Sequence, residues 1–69
     1  MTGTEEALMI ILKWLKVEKN TAMGIILMLE KNENGAKLLI DFLKNSNPEK
    51  LTKSMIIKEA TRIAKEAIN

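Results

Sequence analysis

The width of the apolar surface on the predicted helices is what most constrains the fold of this chain. When residues are placed at intervals of about 100° around a helix, segment 5–17 carries apolar side chains over an arc of roughly 220°. Segment 21–31 is apolar on nearly every side, and segment 33–45 has another wide apolar arc. A surface helix of a globular protein buries a stripe only a little wider than about 100°. The sequence therefore predicts more apolar helical surface than a small bundle needs for its own core.

Turn-forming segments divide the chain into four helices. The segments that interrupt the apolar periodicity contain asparagine, glycine, serine and proline, which favour turns over helix continuation. The helices are predicted over residues 5–17, 21–31, 33–45 and 48–68. Short connections between four helices predict an all-α fold, a compact four-helix bundle that residues 1–69 form as a single helical domain.

Polar residues at the breaks are predicted to cap the helices, because their side chains can accept hydrogen bonds from free backbone N–H groups. The candidates are Thr4, Asn20 or Thr21, Asn32 or Asn34, and Asn47. Pro48 follows Asn47, and proline suits the first helical position because it lacks the N–H that would be unpaired there. The sequence therefore predicts that the last helix begins at Pro48.

Gly24 lies within the second predicted helix, which we interpret as the central one. A glycine costs about 1 kcal/mol relative to alanine in a helix interior. Two interpretations stay open. Gly24 either occupies the thin exposed stripe of this helix or allows another helix to approach closely.

The chain has no histidine and no cysteine, which excludes the side chains that most often do chemistry near neutral pH. Serine or threonine nucleophiles would lack a histidine base, and structural zinc would lack its usual ligands. We therefore predict a protein that is not an enzyme, with no catalytic residue, no cofactor and no metal site.

One segment resembles an EF-hand calcium loop in its spacing. Glu30, Asn32, Asn34, Gly35 and Asp41 occupy the first, third, fifth, sixth and twelfth positions of such a loop. The departures are substantial, because the first position lacks the usual aspartate and the last lacks the bidentate glutamate. The favoured interpretation is a turn rich in asparagine and glycine.

The last predicted helix carries a basic stripe, formed by Lys50, Lys58, Arg62 and Lys65. These side chains could donate hydrogen bonds to phosphate, which gives the alternative function of a small nucleic-acid-binding regulator. Glu59 and Glu66 flank the stripe, and the formal net charge of the chain is only +2. Nucleic-acid binding is therefore possible but not favoured.

The favoured function is protein–protein contact through surplus apolar surface. Ile10, Trp14 and Val17 form one edge of the first helix, about 100° from the edge that contains Leu8. Tryptophan is a common anchor of interfaces, and Met28 would add an adaptable apolar contact. We predict an interface at Ile10, Trp14, Val17 and Met28, with a second copy in a homodimer or with another protein. The alternative is a monomer in which the first helix buries both edges.

The expected location is the cytoplasm, without a membrane partner. The first residues are acidic where a signal peptide would be basic, and Lys13 and Lys16 interrupt the first apolar run before it could span a bilayer. Polar residues are spread along all four helices, which suits water rather than lipid. Lysine, isoleucine and asparagine are abundant and have A/T-rich codons, which indicates an AT-rich bacterial or phage gene and makes a mobile element a candidate source.

Overall fold

The computed structural model describes residues 3–66 and contains four helices in this part of the chain. They are α1 (Gly3–Trp14), α2 (Lys19–Leu29), α3 (Gly35–Asn45) and α4 (Lys53–Glu66). Each of α1 and α4 packs against both α2 and α3, so that α1 and α4 lie at opposite corners of the bundle. The predicted all-α bundle of four helices is confirmed. Residues 67 and 68, the predicted end of the last helix, lie outside the described residues.

The first helix ends at Trp14, earlier than predicted, because the backbone reverses at Lys16. Lys16 has a φ of 66°, the left-handed conformation. The N–H of Val17 donates to the Leu12 carbonyl and the N–H of Lys16 donates to the Lys13 carbonyl, both at 2.9 Å. These two bonds form a Schellman motif, which satisfies carbonyls that the helix end leaves free.

The connection between α2 and α3 is a tight turn, so α2 ends at Leu29 and not at Lys31. The N–H of Gly35 donates to the Asn32 carbonyl at 2.9 Å. A Cβ placed on Gly35 would lie 2.7 Å from the Leu29 carbonyl oxygen. The close approach of these two backbone segments therefore requires glycine at this position.

The prediction that Pro48 begins the last helix is wrong, because residues 48–50 form a separate turn. Asn47 Oδ1 accepts a hydrogen bond from the Glu49 N–H at 3.0 Å, which makes an Asx turn. The helix starts after Thr52, whose Oγ1 accepts from the Met55 N–H at 3.1 Å. Thr52 is therefore the side-chain cap of α4.

The other predicted caps also differ from the structure. Thr4 lies inside the first turn of α1, and Asn20 and Thr21 lie inside α2, whose N-cap is Glu18. Asn34 occupies the N-cap position of α3 but makes no side-chain capping bond. Asn32 Oδ1 accepts instead from the Asn34 N–H at 3.0 Å, so this asparagine stabilises the turn.

The core is entirely apolar among the described residues, and each helix contributes one face to it. The largest fully buried side chains are Leu8, Leu12, Leu39 and Ile63. On α4, small residues such as Ala60 and Ala64 are buried between these larger ones. Leu51 packs against the core from the segment before α4, which fixes the path of the α3–α4 connection.

Replacing Lys16 with glycine is expected to stabilise the protein by roughly 1 kcal/mol, because glycine adopts the left-handed conformation without the Cβ clash. Urea unfolding at one protein concentration measures the change. The same substitution at Lys58, an exposed position within α4, is the control and should destabilise by about 1 kcal/mol. Equal effects at both positions would contradict the role of Lys16.

The two internal glycines should respond oppositely to alanine. A Cβ on Gly24 meets no described residue within 4 Å, so Gly24→Ala is expected to stabilise α2 by roughly 0.5–1 kcal/mol. A Cβ on Gly35 would force Leu29 to move, so Gly35→Ala should destabilise by about 1–3 kcal/mol. Thermal unfolding of the two variants checks both signs, and destabilisation by Gly24→Ala would indicate a close neighbour at that site.

Candidate interaction surface

Helix α1 has apolar side chains on two opposite sides. Leu8 and Leu12 are fully buried and face the core. Ile10 and Trp14, two residues further along in each case, lie on the opposite side of the helix and are 69% and 73% exposed. Residues two apart in a helix are separated by about 200° around the axis, which explains why one pair is inside and the other outside.

The exposed side of α1 is the surface that we call the α1 outer face. Ala7 is also exposed there, in line with Ile10 and Trp14. The core uses the side of α1 that packs against α2 and α3, and it covers only part of the apolar arc predicted from the sequence. The outer face therefore keeps two large apolar side chains in contact with water.

The other two predicted interface residues occupy a different environment. Val17 is half-buried and packs against the core after the turn at Lys16. Met28 is also half-buried, and its sulfur lies 3.6 Å from the Thr61 hydroxyl of α4. The structure thus brings Ile10 and Trp14 together on the α1 outer face but places Val17 and Met28 at the edge of the core.

A second exposed apolar pair lies on α2, where the sequence predicted an enclosed central helix. Leu27 is 62% exposed, and Met23 is exposed one turn before it. Both line a groove between α1 and α2 together with Met9.

Gly24 is also exposed, so the described residues favour the interpretation that it lies on an open part of α2. The stripe of Asn20 and Gly24 was the available signal that this side of α2 is open.

A third apolar area lies between α3 and α4, where Phe42 and Met55 line a shallow groove. Leu38 is exposed one turn before Phe42 on the same side of α3. Lys58 and Lys65 border the groove on α4. Unlike the α1 outer face, this area is partly covered, because Phe42 is half-buried and packs against the core.

The predicted basic stripe is interrupted in the structure. Lys50 lies in the turn before α4, whereas Lys58, Arg62 and Lys65 lie on the helix. Arg62 is bound on both sides, with Nη2 2.6 Å from Glu59 Oε2 and Nη1 2.6 Å from Glu66 Oε1. Two carboxylates therefore compensate the guanidinium charge at the centre of the stripe.

These contacts shift the ionisation of both partners. The hydrogen bond from Arg62 lowers the pKa of the Glu59 carboxyl, partial burial opposes the shift, and the Arg62 charge lowers this pKa further. The same hydrogen bond, with the charge of Glu59, raises the pKa of Arg62. Both carboxylates belong to α4, so the Arg62 cation is engaged within its own helix.

The segment that resembles a calcium loop is divided between two structures. Asn32 and Asn34 lie in the α2–α3 turn, whereas Asp41 lies well inside α3. In residues 3–66, no group of three or more acidic, histidine or cysteine side chains is arranged to hold a metal ion. No helix in the described range has the length and apolar character needed to cross a membrane.

Comparison of the chain with protein-family models, curated proteins and solved structures gives no significant match.

The Glu59–Arg62 pair should make stability depend on acid pH. Since the pKa of Glu59 is lowered in the folded state, its stabilising contribution is present above its ordinary pKa of 4.5. That contribution is lost as the pH falls through the folded-state value. Glu59→Gln should therefore be less stable than the wild type at pH 7, and the two should converge once the pH falls below the folded-state pKa of Glu59. Urea unfolding across this range measures the difference.

Arg62→Gln provides the control for this experiment, because it removes the partner and leaves Glu59 in place. In that background, Glu59→Gln should have a much smaller effect at pH 7. An undiminished effect would mean that Glu59 acts through something other than Arg62.

Proposed function

We propose that this protein is a small non-catalytic helical protein that acts through protein–protein contact and associates with itself, most simply as a homodimer. The observation that carries this proposal is the α1 outer face, where Ile10 and Trp14 are 69% and 73% exposed. Its cytoplasmic location and its origin in a phage or mobile element, both predicted from the sequence, belong to the same proposal.

The exposed side chain of Trp14 would contribute binding energy to any contact that covers it. Burying a large apolar side chain contributes roughly 1.5–3 kcal/mol. Tryptophan is also enriched among the residues that dominate binding energy at interfaces. A contact that covers Ile10 and Trp14 would therefore gain most of its energy from these two residues.

A second copy of the chain is the simplest partner. In a twofold-symmetric dimer the same surface is used by both copies, so every favourable contact occurs twice. Two copies of the α1 outer face would cover four large apolar side chains in one contact. Twofold dimers are also the commonest oligomers of soluble proteins.

The nucleic-acid alternative has weaker support. A phosphate-binding stripe depends on cations that are free to neutralise phosphates. Arg62 instead donates to Glu59 and Glu66. Among residues 3–66, the cations of the stripe on α4 that make no ion pair are then Lys58 and Lys65. Two adjacent carboxylates would also repel a phosphate backbone.

The test is the molar mass in solution, measured by light scattering after size exclusion over a concentration series. We expect the mass to rise towards that of a dimer as concentration increases. Trp14→Ala should weaken association while the helix content, measured by circular dichroism, stays close to that of the wild type. The helix content is preserved because Trp14 contributes little to the core.

Leu27→Ala is the matched control, because Leu27 is similarly exposed but lies on α2. This variant should associate as the wild type does. A wild-type protein that stays monomeric at every concentration would contradict self-association. Equal weakening by Trp14→Ala and Leu27→Ala would mean that general apolar exposure, and not the α1 outer face, drives the contact.

A further inference from the structure

The α1 outer face has the spacing of a coiled-coil seam. Gly3, Ala7, Ile10 and Trp14 are all exposed and are separated by alternating steps of four and three residues. This alternation is the pattern of core positions in a heptad repeat, which places side chains along one line facing a partner helix. The seam runs the length of α1 on the side away from Leu8 and Leu12.

We propose that α1 pairs with α1 of a second copy in antiparallel orientation, about a twofold axis that crosses the helix between Leu8 and Met9. This inference rests on the self-association proposed above and specifies its geometry. The occupant of the α1 outer face is therefore the same face of an identical chain.

The distribution of large and small residues along the seam favours the antiparallel orientation. When the twofold axis lies between Leu8 and Met9, Trp14 and the partner's Gly3 are at the same level along the helix axis. Ile10 lies at the height of the partner's Ala7. Each large side chain thus faces a small one, which lets the two helices approach closely and covers both Ile10 and Trp14. Among residues 3–66, nothing lies within 4 Å of a Cβ placed on Gly3, so no described side chain fills the space above this glycine.

A parallel pairing would not have this complementarity. In register, it would place Trp14 against the partner's Trp14 and Gly3 against the partner's Gly3. One end of the contact would then be overfilled and the other end would be left open, and both errors are destabilising. The order of large and small residues along α1 therefore fits an antiparallel partner and not a parallel partner in register.

The charges beside the seam support the same orientation. Glu6 and Lys13 are exposed on one flank of the seam, a heptad apart, and in the described residues neither makes an ion pair within the chain. In the antiparallel pair, Glu6 lies within about 3 Å of the height of the partner's Lys13. Helical side chains lean towards their own N-terminus, so these two lean towards each other. The twofold axis produces this oppositely charged pair twice.

The size of the contact sets its expected strength. α1 has 12 residues and is about 18 Å long. Two such helices cover less than the roughly 1,200 Å² typical of stable complexes, so the dimer should be weak, with a dissociation constant on the order of micromolar or above. The concentration series must therefore extend to about 1 mM.

Trp14 reports on this geometry without any substitution, because it is the only tryptophan and the chain has no tyrosine. If Trp14 lies over the partner's Gly3, its fluorescence emission should shift to shorter wavelength as the protein concentrates, over the same range in which the mass increases. A dimer that forms without this shift would overturn the proposed seam.

Charge substitutions test the orientation. Glu6→Lys places two lysines against lysines across the antiparallel pair, and Lys13→Glu places glutamates against glutamates. Each single variant should raise the dissociation constant roughly tenfold, since two attractive pairs become repulsive. The double variant Glu6→Lys/Lys13→Glu restores opposite charges and should return to near the wild-type value. An equimolar mixture of the single variants should form a heterodimer.

The double variant also controls for folding. Lysine at residue 6 and glutamate at residue 13 each oppose the α1 dipole, so loss of helix would be largest in the double variant. Restored association in that variant therefore excludes simple destabilisation. Single variants that bind as the wild type does, or a double variant that keeps the wild-type helix content by circular dichroism and still associates weakly, would overturn the antiparallel pairing. A wild-type mass that stays monomeric up to about 1 mM would overturn self-association itself.

Discussion

The packing of Leu8 and Leu12 into the core determines how the rest of α1 is used. Both side chains are fully buried, and α1 contacts α2 and α3 on the side that carries them. A helix can direct only one stripe towards a small core, so this choice turns Ile10 and Trp14 towards solvent. The rotation of α1 about its own axis therefore determines both which side chains enter the core and which form the candidate interaction surface.

The connections hold this arrangement with backbone geometry more than with side-chain caps. The Schellman motif at Lys16 ends α1, and the close contact of Gly35 with Leu29 sets the turn before α3. Of α2, α3 and α4, only α4 has a side-chain cap at its start, which Thr52 provides. Since no polar side chain is buried in residues 3–66, the core itself packs through apolar contacts alone.

Periodicity was sufficient to predict the four helices and the all-α bundle, because apolar side chains recur at helical spacing in every segment. It also indicated that the edge of α1 with Trp14 and the edge with Leu8 could not both be central. It could not decide which edge is inside, since that depends on which neighbours α1 meets. Val17 and Met28 show the same limit, because both have apolar side chains that suit a surface or the rim of a core.

The start of α4 shows a different limit. An asparagine that caps a helix and an asparagine that makes an Asx turn accept a hydrogen bond from the same nearby backbone N–H groups. Asn47 therefore carries the same local signal in either structure. Residues further along the chain determine where α4 starts, because Leu51 packs against the core and Thr52 caps the helix that follows.

The two-sided character of α1 has a consequence for how stability is measured. The residues that hold α1 on the core and the residues that remain in water belong to one rigid element only 12 residues long. Anything that binds the outer side binds only while the helix is formed, so occupancy of that side adds to the free energy of unfolding by mass action. If copies of the chain bind one another through that side, the melting temperature will rise with protein concentration and will not be a constant of the sequence.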